Sequence, residues 1–270
     1  MSRCAVVLGI VFGIVLVLGP ADMMVCLDGL ADRNVCPGSA DRNVCPPGYA
    51  AAAEPSKPEA KKAEPKKPQG DKTKWRAMFD GKTLKGWKVP NFGGEGKVFV
   101  KDQSIILEAG AMMTGITYTE AMPKMNYEVT LEGMRVEGSD FFCTTTFPVG
   151  DSFVSFVVGG WGGTVTGVSS IDFYDASDNQ TTRTKDFKSK QWYRIRIRVT
   201  QEKIETWIDD EKMVDLETKG RKLSIRFECD LCRPFGISTW TTSGAVRNIR
   251  VRELGPADLK KEDLKKGSSD

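Results

Sequence analysis

The sequence predicts an all-β domain over residues 75–254, an antiparallel two-sheet sandwich of the jelly-roll type. About a dozen short segments alternate apolar and polar residues with a period of two. Glycine, aspartate and asparagine separate these segments, as expected for turns. No segment carries a helical apolar period long enough to form a substantial helix. Successive strands without intervening helices are typical of a sandwich rather than an α/β fold.

The individual strands can be read from their alternation. In MNYEVTLEGMRV, Tyr127, Val129 and Leu131 share one face, and charged or polar residues occupy the other. WYRIRIRV alternates four inward apolar residues with three outward arginines, Arg194, Arg196 and Arg198. KIETWID and KMVDLE form a hairpin around a polar turn. LSIRFEC, FGISTW and VRNIRVRE are predicted to continue the series of strands.

The composition restricts the chemistry. The chain has 270 residues, with 13 phenylalanines and 6 tryptophans, enough for one large core. Its net charge of +3 is too small and too evenly spread for a nucleic-acid surface. There is no histidine, which excludes Ser-His and Cys-His nucleophile pairs and the commonest zinc ligand. Any reaction must use carboxylates, tyrosine, lysine, cysteine or a metal held by oxygen atoms.

Residues 1–53 are predicted to be an export signal and leader. Arg3 precedes an apolar run over 4–19. As a helix the run would span about 24 Å, short of the roughly 30 Å hydrocarbon core, so a cleaved signal is favoured over a membrane anchor. ADRNVCP occurs twice, at 31–37 and 40–46, as a local duplication. The predicted location is therefore periplasmic, cell-surface or extracellular, with membrane contact only through an uncleaved leader.

Two charged segments flank the predicted domain. Residues 54–74 contain four prolines, seven lysines and no aliphatic residue larger than alanine, which predicts a disordered extended linker. Residues 255–270 are predicted to be a charged flexible tail with room for one helical turn. Neither segment can bury enough apolar surface to form a core.

Four segments of the predicted domain resemble a known family. FDGKTLKGW at 79–87, QWYRIRIRV, KIETWIDDEKMVDLE and FGISTWTTSGAVRNIRVREL are similar, in order and spacing, to the 3-keto-disaccharide hydrolase domain family, formerly a domain of unknown function. The resemblance covers nearly all of 75–254. It implies a concanavalin A-like lectin/glucanase fold and a carbohydrate or oxidised glycoside as the ligand. It also implies cleavage of 3-keto-glycosides, in which the ketone acidifies the C2 hydrogen so that proton abstraction leads to elimination.

The sequence also departs from that family. Members commonly carry a histidine where this chain has Thr206, and a Gln-x-His element where it has Thr239, Trp240 and Thr241. GSDFFCTTTF stands where members have an Asn-Ser-Gly segment followed by arginine. The alternative to an enzyme is therefore a non-catalytic carbohydrate-binding module, and a structural surface domain is a third interpretation.

Carboxylates are the candidate catalytic groups. The base for C2 would be a carboxylate or tyrosine, and SSIDFYDASDN offers Asp172, Tyr174 and Asp175. At strand spacing Asp172 and Tyr174 would share a face; the alternative is an ordinary aspartate-rich turn. Asp140 is the next candidate. An arginine, or Ca²⁺ or Mg²⁺ held by oxygen ligands, would stabilise the enolate oxygen, although no residue is assigned as a metal ligand.

Aromatic residues are the candidate sugar-binding groups. Four glycines surround Trp161, which lets the backbone approach a flat ligand; the alternative is a bulged strand with a core tryptophan. Trp240 is a second candidate platform. Arg194 is a candidate anion or sugar clamp, with a solvated outer sheet face as its alternative.

The remaining motifs concern stability. Asp80 and Gly81 are predicted to form a turn, with Phe79, Leu84 and Trp87 as core anchors. Three cysteines lie in the predicted domain: Cys143, Cys229 and Cys232. A single CxxC pair without histidine is weak evidence for zinc. A Cys229–Cys232 disulfide beside a free Cys143, or buried thiols at both positions, are both compatible with the sequence.

Overall fold

The computed structural model describes residues 73–259. The predicted leader at 1–53, nearly all of the predicted linker at 54–74 and the tail beyond Leu259 lie outside the described residues. Among the described residues, no helix has both the length and the apolar character needed to cross a membrane. The strands are β1 (Arg76–Ala77), β2 (Trp87–Lys88), β3 (Val98–Lys101), β4 (Ser104–Leu107), β5 (Met113–Tyr118), β6 (Tyr127–Glu137), β7 (Thr144–Val149), β8 (Ser152–Gly160), β9 (Val165–Ser169), β10 (Arg183–Thr184), β11 (Trp192–Val199), β12 (Lys203–Ile208), β13 (Glu211–Glu217), β14 (Gly236–Trp240) and β15 (Ser243–Glu253), with one 3-10 helix (Phe227–Cys232).

These strands form two antiparallel sheets. The first sheet has the order β13-β12-β11-β6-β15-β4-β3, with β1 paired to β15. The second sheet has the order β10-β9-β8-β7-β14-β5-β2. Neither sheet closes on itself, and their inner faces share one apolar core. The predicted all-β, antiparallel sandwich is therefore confirmed.

The predicted alternation places the core. On β6, Tyr127, Val129 and Leu131 are buried against the second sheet, and β11 contributes its four apolar residues in the same way. Burying alternate residues leaves the other face of each strand for solvent or for charged groups. The predicted KIETWID–KMVDLE hairpin is also present, as β12 and β13 joined by two residues.

The outer face of the first sheet is a layer of paired charges. Glu128, on the outer side of β6, is nearly inaccessible because Arg252 Nη2 and Nε donate to its Oε2 at 2.6 and 3.0 Å. Arg196 Nη1 donates to the other carboxylate oxygen of Glu128 at 3.3 Å, and its guanidinium lies 3.6 Å from the ring centroid of Trp207. The outward arginines of β11 thus cover the sheet by pairing with carboxylates and stacking on an aromatic ring.

The predicted turn at Asp80 is present where the chain enters the sandwich. Asp80 Oδ1 accepts the backbone N–H groups of Lys82 and Thr83, both at 2.7 Å. Trp87 is buried, and its Nε1–H donates to the carbonyl of Met78 at 2.8 Å. Phe79 is buried and Leu84 packs partly buried against the same core, so the predicted anchors are confirmed.

One predicted strand is wrong. LSIRFEC forms a single bridge at Leu223, which pairs with Ile171, and the chain then enters the 3-10 helix. Two of its polar side chains, Arg226 and Glu228, bind each other. A strand would also point two residues at this spacing the same way, so the alternation alone does not exclude this arrangement. At the other end of the domain, Asp258 of the predicted tail bonds to Arg198 and Arg252.

Candidate carbohydrate site

A cavity opens on the outer face of the second sheet. Its volume is about 250 Å³, close to the lower end of small-molecule pockets at about 300 Å³. Alternation along the strands explains its floor, because Phe156 and Val168 point into the core while Ser155 and Ser169 point the other way into the cavity. The 3-10 helix and two turns form the walls. A volume of this size accommodates a single sugar ring.

Three aromatic side chains form part of these walls: Phe141, Trp161 and Trp240. The rings of Phe141 and Trp240 lie 6.3 Å apart with a 44° tilt. Trp161 is 44% exposed, so much of its ring is available to a ligand. Aromatic faces at the mouth of a small polar cavity suit the apolar faces of sugar rings.

Trp161 stands at the tip of the turn between β8 and β9, residues 159–163, here called the Trp161 turn. Its own φ is +48°, and Gly159, Gly162 and Gly163 also have positive φ, at 72°, 86° and 113°. The ladder between β8 and β9 shifts register at this point. The glycines therefore allow a bulged turn that a run of larger residues would not adopt. Of the two interpretations of the GGWGG segment, the structure shows the bulge, with an exposed rather than a core tryptophan.

Asp140 lies beside the Trp161 turn and lines the cavity. Its Oδ2 accepts the backbone N–H of Gly162 at 3.1 Å, and its Oδ1 accepts the N–H of Phe141 at 2.7 Å. Thr242 Oγ1 accepts the N–H of Asp140 at 2.9 Å, which fixes the backbone from below. Each carboxylate oxygen retains a lone pair, and among residues 73–259 no ion pair to Asp140 occurs.

Arg226 and Glu228 line the opposite part of the cavity wall as a bidentate pair. Arg226 Nη2 and Nε donate to the two carboxylate oxygens of Glu228 at 2.8 and 3.2 Å, and its Nη1 donates to Asp175. Burial alone would raise the pKa of Glu228, but the hydrogen bonds from Arg226 outweigh it, so the pKa lies below its ordinary value of 4.5. The same hydrogen bonds raise the pKa of Arg226. This wall is therefore a fixed cation between two carboxylates.

The cavity floor carries hydroxyl groups. Thr144 Oγ1 is buried and has no hydrogen-bond partner within the described residues. Ser155 Oγ lies 2.8 Å from Thr146 Oγ1, and Ser169 Oγ accepts the N–H of Ala176 at 2.7 Å, which leaves its own hydrogen to donate. A buried hydroxyl without a partner costs free energy, about 1–3 kcal/mol, which a ligand hydroxyl would relieve.

Cysteine also reaches the cavity. Cys229 lines it and packs with Cys232 and Met113 in a small apolar cluster under the 3-10 helix. Cys143, Cys229 and Cys232 are all free thiols and all buried, so the alternative of a Cys229–Cys232 disulfide is wrong for this structure. Burial raises the pKa of Cys229 to about 11. These thiols are packing groups rather than nucleophiles.

Two of the predicted catalytic residues lie away from the cavity lining. Asp172 and Phe173 have φ of 52° and 73°, and Ile171 and Tyr174 exchange hydrogen bonds at 2.9 Å across them. Asp172 is therefore a central residue of a tight turn that Tyr174 closes, so the two do not share a strand face, and the turn alternative is correct. Asp172 is held by Arg221 at 3.0 Å, and Tyr174 is 58% exposed. Asp175 does not line the cavity, but it accepts a hydrogen bond from Arg226, which does.

Arg194 lies on the other sheet. It sits on the outer face of β11, where its Nη2 donates to Asp210 at 3.0 and 3.1 Å. The second sheet and the core separate it from the cavity lined by Trp161 and Trp240. Arg194 therefore does not share this cavity with the two tryptophans. It lines a separate cavity on the outer face of the first sheet with Arg196 and Trp207, so its role as an anion or sugar clamp stays a prediction.

The cavity does not fit a divalent cation. Within residues 73–259 no group of three or more histidine, cysteine, aspartate or glutamate side chains could hold a metal ion. The nearby carboxylates of Glu228 and Asp175 are already bound to Arg226. An adjacent guanidinium repels a cation, so these carboxylates do not fit the predicted Ca²⁺ or Mg²⁺.

Three residues of this wall were not predicted: Phe141, Arg226 and Glu228. Phe141 directly follows Asp140, so the pair could have been proposed together from the sequence. Arg226 and Glu228 were hidden in a segment that alternates like a strand. Their signal was the position of two opposite charges two residues apart, immediately before a CxxC pair.

Comparison with known proteins identifies the domain. Residues 74–252 match the profile of the 3-keto-alpha-glucoside-1,2-lyase-like domain. The chain belongs to this family. The predicted resemblance is thereby confirmed over almost the same residues. Membership in the family makes this a carbohydrate-active or carbohydrate-binding protein. None of the curated proteins matches the chain.

Several solved structures are similar to the chain. The Crh5 transglycosylase in complex with NAG is 15% identical, with 68% of this chain and 85% of that chain covered and a TM-score of 0.48. Carbohydrate-binding module CBM66 from Bacillus subtilis is 9% identical, with 62% and 96% covered and a TM-score of 0.44. A protein of unknown function with a galectin-like fold from Bacillus subtilis is 10% identical, with 63% and 90% covered and a TM-score of 0.46.

The residues at which this lyase-like domain differs from its family lie mostly outside the cavity. Thr206 is fully buried on β12, on the inward face it shares with Ile204 and Ile208. Thr239 is fully buried on β14 and Thr241 is exposed, and neither lines the cavity. Only Trp240, the middle residue of that trio, reaches it. The positions where family members carry histidine therefore do not line this cavity. Its polar groups come from other segments of the chain.

Proposed function

We propose that this lyase-like domain is an exported enzyme that cleaves a 3-keto-glycoside by abstracting the C2 proton, with Asp140 as the base. One observation carries the proposal: Asp140 is a cavity carboxylate without an ion pair among the described residues, whereas Glu228 and Asp175 are both bound to Arg226. A base must be ionised and must have a free lone pair toward the substrate. Asp140 offers such a lone pair on each carboxylate oxygen, because each oxygen accepts a single backbone N–H.

The substrate ring would stack on Trp161 and Trp240, with hydroxyls toward Thr144 and Ser169 on the floor. Asp140 takes the proton from C2, and the electron pair of that C–H bond moves into the C2–C3 bond to form an enolate at the C3 oxygen. The enolate then re-forms the ketone as a C1=C2 double bond forms and the C1–O bond breaks. The leaving oxygen takes the bonding pair of the C1–O bond and the proton that Asp140 had abstracted. Arg226, a cavity-lining cation held in place by Glu228 and Asp175, would stabilise the negative charge. Addition of water to the resulting double bond completes a hydrolysis.

A non-catalytic carbohydrate-binding module is the second candidate. The observation that favours it is that Asp172 and Tyr174 lie outside the cavity lining, and Asp175 behind Arg226, so only Asp140 remains as an unpaired acid or base at the wall. Stacking on Trp161 and Trp240 needs no reaction.

Turnover measurements separate the two candidates. The full chain is incubated with a methyl 3-keto-α-glucoside, and released methanol and the unsaturated sugar are measured by mass spectrometry. Asp140→Asn keeps an oxygen for Gly162 but removes the base, and we expect a loss of turnover of about 10²–10⁴-fold. Asp151→Asn is the control, because Asp151 is 98% exposed and pairs with Lys124 on the surface. Binding without turnover in the unmodified chain would support the binding module instead.

Export is tested separately. The apolar run over 4–19 supports removal of the leader during secretion. N-terminal sequencing of the protein made in a secreting host should give a start near Ala21 or directly after Ala53. Retention of the intact N-terminus in the cytoplasm would contradict export.

A further inference from the structure

Arg135 occupies a core-facing position near the end of β6. The inward residues before it on the strand are Tyr127, Val129, Leu131 and Gly133. Arg135 itself is only 5% exposed. Buried arginines normally pair with a carboxylate, because an uncompensated buried charge is costly. Among residues 73–259, Arg135 forms no ion pair with a carboxylate, and its Nε has no hydrogen-bond partner.

Its hydrogen bonds go to backbone carbonyls instead. Nη2 donates to Gly163 O at 2.9 Å and to Gly159 O at 3.4 Å. Nη1 donates to Phe187 O at 3.4 Å. Gly159 and Gly163 are the first and last residues of the Trp161 turn, so one nitrogen holds both ends of it. Because β6 belongs to the first sheet and the turn to the second, this guanidinium bridges the two sheets.

Two phenylalanine rings confine the guanidinium. Its central carbon lies 5.0 Å from the ring centroid of Phe142 and 5.9 Å from that of Phe187. These rings lie 5.2 Å from each other, edge to face. The Asp140 carboxylate acts on the guanidinium electrostatically without forming an ion pair, and cation–π attraction adds to this without competing for the N–H groups. The guanidinium therefore remains free to bind the turn.

The turn is shaped to this arginine. A Cβ at Gly159 would lie 2.6 Å from Nη2 of Arg135, so a side chain there would displace the guanidinium from its present position. A Cβ at Gly163 would lie 2.6 Å from the carbonyl of Ser139. Asp140 binds the same turn from the cavity side through the N–H of Gly162. Trp161 is thus exposed at its ring but held through the backbone at three of its four neighbouring glycines.

We propose that Arg135 is a positioning residue that orders the Trp161 turn and so sets the affinity of the cavity for a sugar ring. The proposal rests on the proposed function insofar as Trp161 is taken as the stacking surface. An ordered turn presents the ring without the entropy loss that a mobile turn would incur on binding.

Hydrogen exchange of the full chain tests the positioning role without any ligand. In Arg135→Met, we expect amides of residues 159–164 to exchange about tenfold faster, while those of β11 keep their rate. Arg198→Met is the matched control, a largely buried arginine of the first sheet that bonds to Asp258 O on the outer face. Unchanged exchange of 159–164 in Arg135→Met, or an equal increase in Arg198→Met, would overturn the proposal.

Arg135→Lys is measured in parallel, and it decides the question if the methionine variant does not fold. Lysine keeps the charge between the phenylalanine rings but has a single nitrogen, which cannot span all three carbonyls. We expect it to give an increase in exchange between those of the unmodified chain and Arg135→Met. An exchange rate in 159–164 equal to that of the unmodified chain would show that only the charge of Arg135 matters. It would contradict the proposal that Arg135 orders the turn through its three hydrogen bonds to carbonyls.

A second arm measures binding of methyl α-D-glucopyranoside by calorimetry. This sugar lacks the ketone, so it cannot undergo the proposed elimination. We expect Arg135→Met to weaken binding about tenfold, as Trp161→Ala does, and the double variant to be no weaker than either single one. Additive losses would show that Arg135 acts independently of Trp161. If the unmodified chain binds neither this sugar nor the 3-keto-glucoside, the proposed function fails, and the exchange arm alone decides the role of Arg135.

Discussion

Asp140 Oδ2 accepts the backbone N–H of Gly162 at 3.1 Å. This hydrogen bond joins the loop after β6 to the turn that carries Trp161. Asp140 and Trp161 both line the same cavity. Asp140 and Trp161, which the sequence indicates separately as a candidate acid or base and a candidate sugar platform, are therefore neighbours. The contact also means that a change at Asp140 is best made to asparagine, which can still accept from Gly162.

Removing either cavity tryptophan should weaken sugar binding, and removing Trp161 should leave stability nearly unchanged. Trp161 is 44% exposed, so Trp161→Ala deletes little core packing. We expect a loss of binding free energy of about 1–2 kcal/mol for Trp161→Ala or Trp240→Ala, the size of an aromatic contact and its buried area. Calorimetry with methyl α-D-glucopyranoside measures it. Trp192→Ala, on the outer face of the other sheet near Arg247, should bind as the unmodified chain does.

Trp87 should affect stability and not the site. Its ring packs 5.1 Å from Tyr118 and 6.1 Å from Phe235 in the core, and its Nε1–H is satisfied by Met78 O. Trp87→Ala should lower the free energy of unfolding by about 3–5 kcal/mol, measured by urea denaturation. Trp75→Ala, at a 41% exposed position, is the control and should change it far less. A large drop in sugar affinity of the folded Trp87→Ala protein would move this motif into the binding site.

Asp80 should make stability depend on acid pH. Backbone hydrogen bonds from Thr83 and Lys82, with the Thr83 hydroxyl, lower the pKa of Asp80 from 3.8 to about 2. Since the folded pKa is the lower one, its stabilisation is complete above pH 3.8 and is lost as the pH falls through about 2. Asp80→Asn should therefore be less stable than the unmodified chain at pH 6, and the difference should shrink between pH 4 and 2. A pH-independent difference in urea midpoints would show that the charge is irrelevant.

The three cysteines of the domain should be unreactive while it is folded. Burial raises the pKa of Cys229 to about 11, so at pH 8 the thiolate fraction is on the order of 10⁻³. Iodoacetamide labelling followed by peptide mapping should modify Cys143, Cys229 and Cys232 only after denaturation. Exposed Asp151 and Lys124 peptides serve as unmodified mapping references. A Cys229–Cys232 peptide two hydrogens lighter, found without reduction, would instead identify a disulfide.

Much of the fold follows from local patterns. The inward residues of β6 and β11 and the hairpin of β12 and β13 were all predicted from alternation, because a half-buried strand requires it. The error at Arg226 and Glu228 has the same origin. A short alternating segment looks like a strand whether its polar residues face solvent or bind each other.

The site was predicted only in part. Trp161, Trp240 and Asp140 do line one cavity. Asp172, however, lies within a tight turn that Tyr174 closes, and the alternating pattern does not reveal the positive φ values of that turn. Arg194 lies on the other sheet from the two tryptophans, and alternation could not show this, because it separates inward from outward faces without assigning a strand to a sheet. Which sheet a strand joins depends on long-range pairing, and β11 pairs with β6 over separations of 58 to 72 residues, from Trp192 with Met134 to Val199 with Tyr127.

The sequence by itself determined the two-sheet sandwich, its family and its main core anchors, because these depend on residue alternation and turn chemistry within short segments. The tertiary structure decided the site. Arg135, Asp140, the Trp161 turn and Arg226 come from four separate segments, and their hydrogen bonds exist only once the strands have paired. Arg135 shows the difference most clearly: its position marks it as inward, but only packing of one sheet on the other gives that buried charge the carbonyls of Gly159 and Gly163 as partners.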